Sequence, residues 1–141
     1  MKYGKLKGIV WHQGETDTSN SIALPHRVIG RKRHLMRVGY VVYVYPFCDM
    51  IKRLRSAMGV GTEVPVIVGE LGQWEWEKKE LIDTFNDVIL PGLTNLVPNC
   101  HKVESDGLEC RSTDHSDPHF SRESNIELGR RYAEMMTKIT N

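Results

Sequence analysis

The stretch KGIVWHQGETD, residues 7–17, decides the fold, because a short apolar run is followed directly by a polar loop. Ile9, Val10 and Trp11 are consecutive apolar residues, a pattern typical of a strand buried in a parallel sheet. The loop after them contains a glycine, and open α/β sheets carry their chemistry in loops at the carboxyl ends of strands. The stretch therefore predicts an α/β domain whose functional residues begin at His12.

Patterns of strand and helix alternate along the rest of the chain. We predict strands over residues 39–47, 64–71 and 101–103, and helices over residues 48–59, 75–90 and 121–139. Pro46 is expected to close the first of these strands, and Pro91 with Gly92 to end the second helix. Ser121 is a candidate N-cap for the last helix. The alternation is typical of α/β organisation, and 141 residues are enough for one domain.

The composition argues against several classes of function. Hydrophobic residues make up 40% and charged residues 26%, which is typical of a globular domain, and the net charge of +1 argues against a nucleic-acid partner. No apolar stretch approaches the roughly 18 residues that a membrane span needs. The first residues, MKYGKLKGIVW, lack the apolar run of a secretory signal, so we predict no export signal in this sequence. The basic run at residues 26–37 is interpreted as a solvated face.

The three cysteines are interpreted as free thiols. Their odd number and their spacing fit no zinc pattern, although Cys100 and Cys110 are close enough in sequence to bridge a short loop in an oxidising compartment. His115 and His119 have H-x-x-x-H spacing with aspartates nearby, but Pro118 places them in a loop and not on a helix face. The sequence therefore predicts neither a metal site nor a cofactor.

Side chains that can do acid–base chemistry gather at two places. One follows the first predicted strand and the other precedes the last predicted helix: His12, Gln13, Glu15 and Asp17, and then Asp114, His115, Asp117 and His119. A hydrolytic imidazole needs a carboxylate that orients its ring, and amide donors that face a developing oxyanion. The first cluster offers an amide and a carboxylate, and the second offers a histidine two residues after an aspartate. Together they contain the parts of a Ser-His-acid site except the serine.

Both clusters lie in segments that resemble a known family. GIVWHQGETD, residues 8–17, resembles the GIxWHQGESD segment of the sialate O-acetylesterase and acetylxylan esterase group of SGNH hydrolases. DPHFSRESNIELGRRYAEMM, residues 117–136, is similar to that group's closing segment, in which the catalytic histidine precedes Phe and a helix. The resemblance covers residues 7–17 and 45–138. It implies a flavodoxin-like three-layer α/β/α fold with a parallel sheet, incomplete at the N-terminus, so that residues 1–141 form a single truncated SGNH-type domain.

The resemblance also implies roles for the residues that match the motifs. His119 matches the catalytic histidine, which implies a general base that activates a serine hydroxyl. The acid that orients His119 stays open between Asp117 and Glu15. The family's aspartate usually lies three residues before the histidine, where this chain has Ser116, and Glu15 matches the glutamate of the first motif.

Other residues of the two regions have alternative interpretations. Gln13 matches an active-site residue of the family, and the match implies that its side-chain amide faces the oxyanion. Gly14 allows close approach of the backbone. His12 either forms a hydrogen bond within the loop or contacts the substrate. Trp74 and Trp76 either stack on a sugar ring or anchor the helix that follows them.

The chain departs from the family pattern in two respects. The family's nucleophile lies in a GQSN-like motif that precedes everything in this chain, and no such motif occurs here. Residues 20–44 do not resemble the short helical connection that the family has after its first motif.

The resemblance implies deacetylation of acetylated sugars by a Ser-His-acid mechanism, with the nucleophile segment absent from this chain. The alternative from another class is a non-catalytic remnant that binds a glycan or a partner chain. Loss of the family's first strand would also expose a sheet edge, so we predict self-association through that edge.

Overall fold

A computed structural model describes residues 4–15, 40–74, 79–115 and 117–140. The strands in these ranges are β1 (Ile9–Trp11), β2 (Val66–Gly69) and β3 (Cys100–Val103). The helices are α1 (Tyr45–Ala57), α2 (Lys79–Thr84), α3 (Leu90–Leu96) and α4 (Arg122–Thr140), with π-helical turns at Tyr40–Val44 and Phe85–Ile89. The basic run at 26–37, Asp17, Trp76, Ser116 and most of segment 20–44 lie outside the described residues.

The three strands form one parallel sheet in the order β1-β2-β3. In the register of the sheet, Val66 lies opposite both Ile9 and Cys100. All three strands therefore run in the same direction and end at the same edge, where the loops after β1 and β2 begin. The strands predicted at residues 7–11 and 64–71 are confirmed with shorter bounds, and the strand predicted at 101–103 is confirmed and begins one residue earlier, at Cys100.

Helices cover both faces of the central strand. Val66 and Val68 point into a core made with α1, α3 and the two π-helical turns, whereas Ile67 points into a second core with Leu128 and Tyr132 of α4. All four residues of β2 are buried, and each buried Val or Ile contributes about 1.5–3 kcal/mol relative to exposure. This three-layer α/β/α arrangement confirms the expected fold class.

The prediction of a strand over residues 39–47 is wrong, because this segment is helical. Tyr40–Val44 forms a π-helical turn that runs into α1, and Pro46 lies in the first turn of α1 instead of closing a strand. Proline is favoured at the start of a helix, where its missing N–H would have had no partner. The buried residues Tyr43, Phe47 and Ile51 recur at a spacing of four, which places them on one helix face.

The predicted helix over residues 75–90 continues further than expected. From Lys79 the chain stays helical to Leu96, through the π-helical turn Phe85–Ile89 that directly precedes Pro91. Such a π-helical turn changes the hydrogen-bond register, so a proline that lacks an N–H can follow without ending the helix. Gly92 serves packing, because a Cβ at this position would lie 2.8 Å from the Tyr40 hydroxyl.

The last predicted helix is confirmed as α4. The Ser121 hydroxyl accepts a hydrogen bond of 3.1 Å from the Ser124 N–H, which is the contact expected of an N-cap. Among the helices in the described ranges, none is long and apolar enough to cross a membrane.

Candidate active site

The loop after β1 carries His12, Gln13, Gly14 and Glu15 at the carboxyl edge of the sheet. Tyr43, from the π-helical turn before α1, holds this loop: its hydroxyl donates to the main-chain oxygen of Gln13 at 2.7 Å. The same hydroxyl lies 3.2 Å from Oε1 of the Gln13 side chain. The contact with Tyr43 therefore directs the oxygen end of the Gln13 amide toward α1.

Gly14 is required by close packing. It is buried, and a Cβ at this position would lie 2.6 Å from the ring of Phe85, too close for any other residue. Its N–H donates to Oε2 of Glu15 at 3.0 Å. At Gly14 the backbone therefore comes close to the helical layer that contains Phe85, on the same face of the sheet as α1 and α3.

His12, the first residue of the loop after β1, packs against α4 and against Phe120, which precedes α4. Its Nδ1 is 3.0 Å from the Tyr132 hydroxyl, and its ring packs edge-on against Phe120, with centroids 5.5 Å apart. Its Nε2 is buried, lies 3.7 Å from Oε1 of Glu15, and has no hydrogen-bond partner in the part of the chain that the structure describes. Burial lowers the pKa of His12, and the Glu15 carboxylate partly opposes this shift.

His119 is presented by a narrow loop that precedes α4. The N–H of Arg111 donates to the oxygen of His119 at 2.9 Å, and the N–H of Ser121 donates to the oxygen of Glu109 at 2.8 Å. Between these bonds, Cys110 pairs with Phe120 in an isolated antiparallel bridge. The pairing leaves the His119 side chain exposed while its backbone is fixed on both sides.

Asp117 organises the same loop. Its Oδ1 accepts the N–H of His119 at 2.9 Å, and its Oδ2 accepts from the guanidinium of Arg111, with Nε at 2.9 Å. The hydrogen bond from the His119 N–H, with a further contribution from Arg111, holds the pKa of Asp117 below its ordinary value, and burial opposes this shift. The main-chain oxygen of Asp117 accepts from Trp74 Nε1 at 3.1 Å and from the Cys110 thiol at 3.0 Å. Trp74 thus anchors the loop by its indole N–H.

A cavity of about 830 Å³ opens between the two loops and the start of α4. It brings together three of the predicted site residues, His12, Glu15 and His119. Gln13, Gly14 and Asp117 are next to these residues in sequence but do not line the cavity. Among the described residues, those that line it are His12, Glu15, Arg111, His119, Phe120, Arg122, Asn125 and Ile126.

The α4 part of this lining was not anticipated from the sequence. Arg122, Asn125 and Ile126 follow the i, i+3, i+4 spacing of one helix face, so the predicted helix contained the signal for them. Arg122 and Arg111 add positive charge to a space that also holds the Glu15 carboxylate. No serine of the described residues lines the cavity.

None of the three cysteines is among the described residues that line this cavity. All three are free thiols, and burial raises the pKa of Cys100 to about 12. Within the described ranges, no three His, Cys, Asp or Glu side chains are grouped as metal ligands would be.

The fold and the cavity define a three-layer α/β/α domain in which an imidazole and a carboxylate line one space at the carboxyl edge of a parallel sheet. The family model of the carbohydrate esterases described as sialic acid-specific acetylesterases matches residues 1–138. The chain therefore belongs to this family of carbohydrate esterases. No curated protein and no solved structure matches the chain.

Proposed function

We propose that this chain carries the histidine and the carboxylate of a carbohydrate O-acetylesterase, an enzyme that hydrolyses acetyl esters on sugars. The observation that supports this most directly is the shared cavity. His119 and Glu15 come from the two segments that resemble the family motifs, more than a hundred residues apart, and they line the same space. Membership of the carbohydrate esterase family supports an acetylated carbohydrate as the substrate.

In this proposal, residues 1–141 are a single SGNH-type domain whose nucleophilic serine lies outside them. The His119 imidazole removes the serine proton as the oxygen attacks the acetyl carbonyl, and returns it to the sugar hydroxyl that leaves. The same imidazole then takes a proton from water, which attacks the acyl-serine and releases acetate. Gln13 belongs to the same family motif as Glu15, but its side-chain oxygen contacts Tyr43 and the residue does not line the cavity, so it is given no part in these steps. No metal or organic cofactor enters these steps.

Between the two candidate acids, we favour Glu15 as the partner of His119. The Asp117 carboxylate holds its own loop, with one oxygen on the N–H of His119 and the other on Arg111. Glu15 lines the cavity with the His119 side chain, and Asp117 does not. Asp117 then fixes the backbone of His119, while Glu15 stabilises the charged imidazole.

The alternative function is that of a non-catalytic domain that binds a glycan or a partner chain. It is favoured by one observation, that the cavity has no serine among its described lining residues. Arg111, Arg122 and Asn125 offer hydrogen-bond donors to a bound sugar.

The experiment that separates the two functions measures acetate release from O-acetylated sugars by two proteins. One is the chain of 141 residues, and the other is the same chain extended by the in-frame coding sequence upstream of Met1. We expect turnover from the extended protein and none from the chain alone. An in-frame GQSN-like segment whose serine, when replaced by alanine, abolishes turnover would identify the nucleophile.

Two outcomes would contradict the esterase. One is a folded extended protein that releases no acetate from any acetylated sugar or from p-nitrophenyl acetate. The other is a coding sequence that has no GQSN-like segment upstream. Binding of sugars without turnover in either case would favour the alternative.

A further inference from the structure

His12 is the residue that joins the two loops of the cavity. Its ring contacts Phe120, the neighbour of His119, and its Nδ1 lies 3.0 Å from the hydroxyl of Tyr132 on α4. Its other nitrogen lies 3.7 Å from the Glu15 carboxylate. His12 therefore links the loop that carries Glu15 to the helix that follows His119.

Gly69, the last residue of β2, leaves space for the contact between His12 and Tyr132. A Cβ on Gly69 would overlap the Tyr132 hydroxyl and lie 2.6 Å from His12 Nδ1. The hydroxyl and the ring nitrogen thus meet directly over the backbone of the central strand. Only glycine at this position leaves room for their contact.

The hydrogens of this contact follow from the two distances at the Tyr132 hydroxyl and from the charge of Glu15. The Tyr132 hydroxyl has one proton and two neighbouring acceptors, His12 Nδ1 at 3.0 Å and the main-chain oxygen of Trp11 at 3.4 Å. The shorter distance favours donation to Nδ1, which leaves the imidazole proton on Nε2. The opposite tautomer would direct the Nε2 lone pair at the negative carboxylate of Glu15, which is unfavourable in a buried place.

We propose that His12 and Tyr132 are positioning residues: Tyr132 fixes the Nε2–H tautomer of His12, and that N–H orients the Glu15 carboxylate toward the cavity and His119. This proposal rests on the proposed function, because it assigns Glu15 as the acid of the site. The N–H of Gly14 already holds the other oxygen, Oε2, at 3.0 Å. Gly14 orients the carboxylate by a hydrogen bond to Oε2, and the Nε2–H of His12, 3.7 Å from Oε1, orients it by electrostatic attraction without a hydrogen bond.

The tautomer is measured by ¹⁵N NMR on the histidine-labelled chain of 141 residues, with His12 assigned from its absence in His12→Asn. Above the titration range of histidine we expect a pyrrole-type Nε2 and a pyridine-type Nδ1 that carries the shift of a hydrogen-bonded nitrogen. Tyr132→Phe should move the Nδ1 resonance to the position of an unbonded nitrogen. Tyr40→Phe, which removes a hydroxyl elsewhere, should leave the resonance unchanged.

The effect of His12 on the Glu15 carboxylate is measured by the kinetics of two variants of the extended protein, His12→Gln and His12→Asn. The amide nitrogen of Gln at position 12 can reproduce Nε2 and reach Glu15, whereas the shorter Asn reproduces only Nδ1 and its contact with Tyr132. We expect His12→Asn to lower kcat about tenfold or more with little change in KM, and His12→Gln to recover most of the loss.

Three results would overturn the proposal: a proton on Nδ1, an Nδ1 resonance that does not respond to Tyr132→Phe, or an Asn variant as active as the Gln variant. The NMR result does not depend on turnover. An inactive extended protein with the expected tautomer would therefore contradict the proposed function and not the hydrogen-bond arrangement.

Discussion

The Tyr132 hydroxyl lies 3.0 Å from Nδ1 of His12, although the two residues are 120 positions apart in the chain. This contact fastens the last helix to the loop after the first strand. Because His119 directly precedes that helix and Glu15 belongs to that loop, the contact also fixes the two sides of the cavity relative to each other. The stability of the domain and the geometry of the site therefore depend on the same few atoms.

Gly69→Ala should separate His12 from Tyr132. The added Cβ would overlap the Tyr132 hydroxyl, so the helix or the loop must shift, at a cost of about 1–3 kcal/mol in the free energy of unfolding. Urea unfolding followed by circular dichroism measures this difference.

Gly129→Ala is the matched control, because a Cβ at this position in α4 meets nothing within 4 Å. It should stabilise the protein by about 0.5–1 kcal/mol, as alanine does inside a helix. Equal effects of the two substitutions would contradict the packing described at Gly69.

The stability of the protein should fall as the pH drops below about 6.5, in part because of His12. Burial lowers the pKa of His12 in the folded state, so the unfolded chain binds this proton more readily and gains free energy relative to the fold. The groups that face His12 are Glu15 from its own loop and Tyr132 from α4, with His119, Arg111 and Arg122 lining the same cavity.

Urea unfolding of the wild type and of His12→Gln between pH 5 and 8 measures the His12 contribution. The wild type should lose stability more steeply toward low pH, by at most about 1.4 kcal/mol per pH unit relative to the variant. Parallel pH profiles for the two proteins would show that His12 is not held neutral in the fold.

Glu70→Ala should destabilise the loops at the carboxyl edge of the sheet. The buried Glu70 carboxylate accepts the N–H of Ser105 at 3.0 Å and Nε2 of Gln73 at 2.8 Å, and it pairs with Lys102. Its removal leaves a buried N–H without a partner, which costs about 1–3 kcal/mol.

Glu104→Ala is the control, because Glu104 is 66% exposed and lies 3.8 Å from the same lysine. Thermal unfolding should show a change within about 0.5 kcal/mol for the control. A similarly small change for Glu70→Ala would argue against the network.

The edge of β1 is the place where we expect self-association. Among the described residues β1 pairs with β2 alone, and its Val10 side chain is 53% exposed. A lysine on an edge strand discourages pairing with another chain, so Val10→Lys should lower the association measured by sedimentation velocity. Met58→Lys introduces the same charge at a residue 54% exposed beyond α1 and should not change it. A wild-type protein that sediments as a monomer at every concentration would contradict this prediction.

The elements whose patterns are strong could be predicted from the sequence. The apolar run before HQGE gave β1, the β-branched run at 64–71 gave β2, and the helical spacing after Ser121 gave α4. The segment at 39–47 could not be assigned, because a run of Tyr and Val suits a buried strand as well as a helix packed on a core. Burial of Tyr43 against Phe85, which lies outside this segment, decides in favour of the helix.

The candidate site divides in the same way. The motifs gave Glu15 and His119 because each lies directly after or before a recognisable element. The contact between His12 and Tyr132 depends on how α4 lies against β2, and Tyr132 in the sequence reads only as an apolar position of a helix. The engagement of Asp117 with Arg111 is equally a product of loop geometry, so the sequence alone leaves the choice between Asp117 and Glu15 open.

The measurement that tests the account most directly is acetate release by the extended protein with single histidine substitutions. His119→Ala should lower kcat/KM at least about a hundredfold, because it removes the proposed general base. His101→Ala, at a histidine on β3 that bonds to Asn99, should retain the wild-type value. A His119→Ala protein that releases acetate as fast as the His101→Ala protein would contradict the assignment of this cavity as the active site.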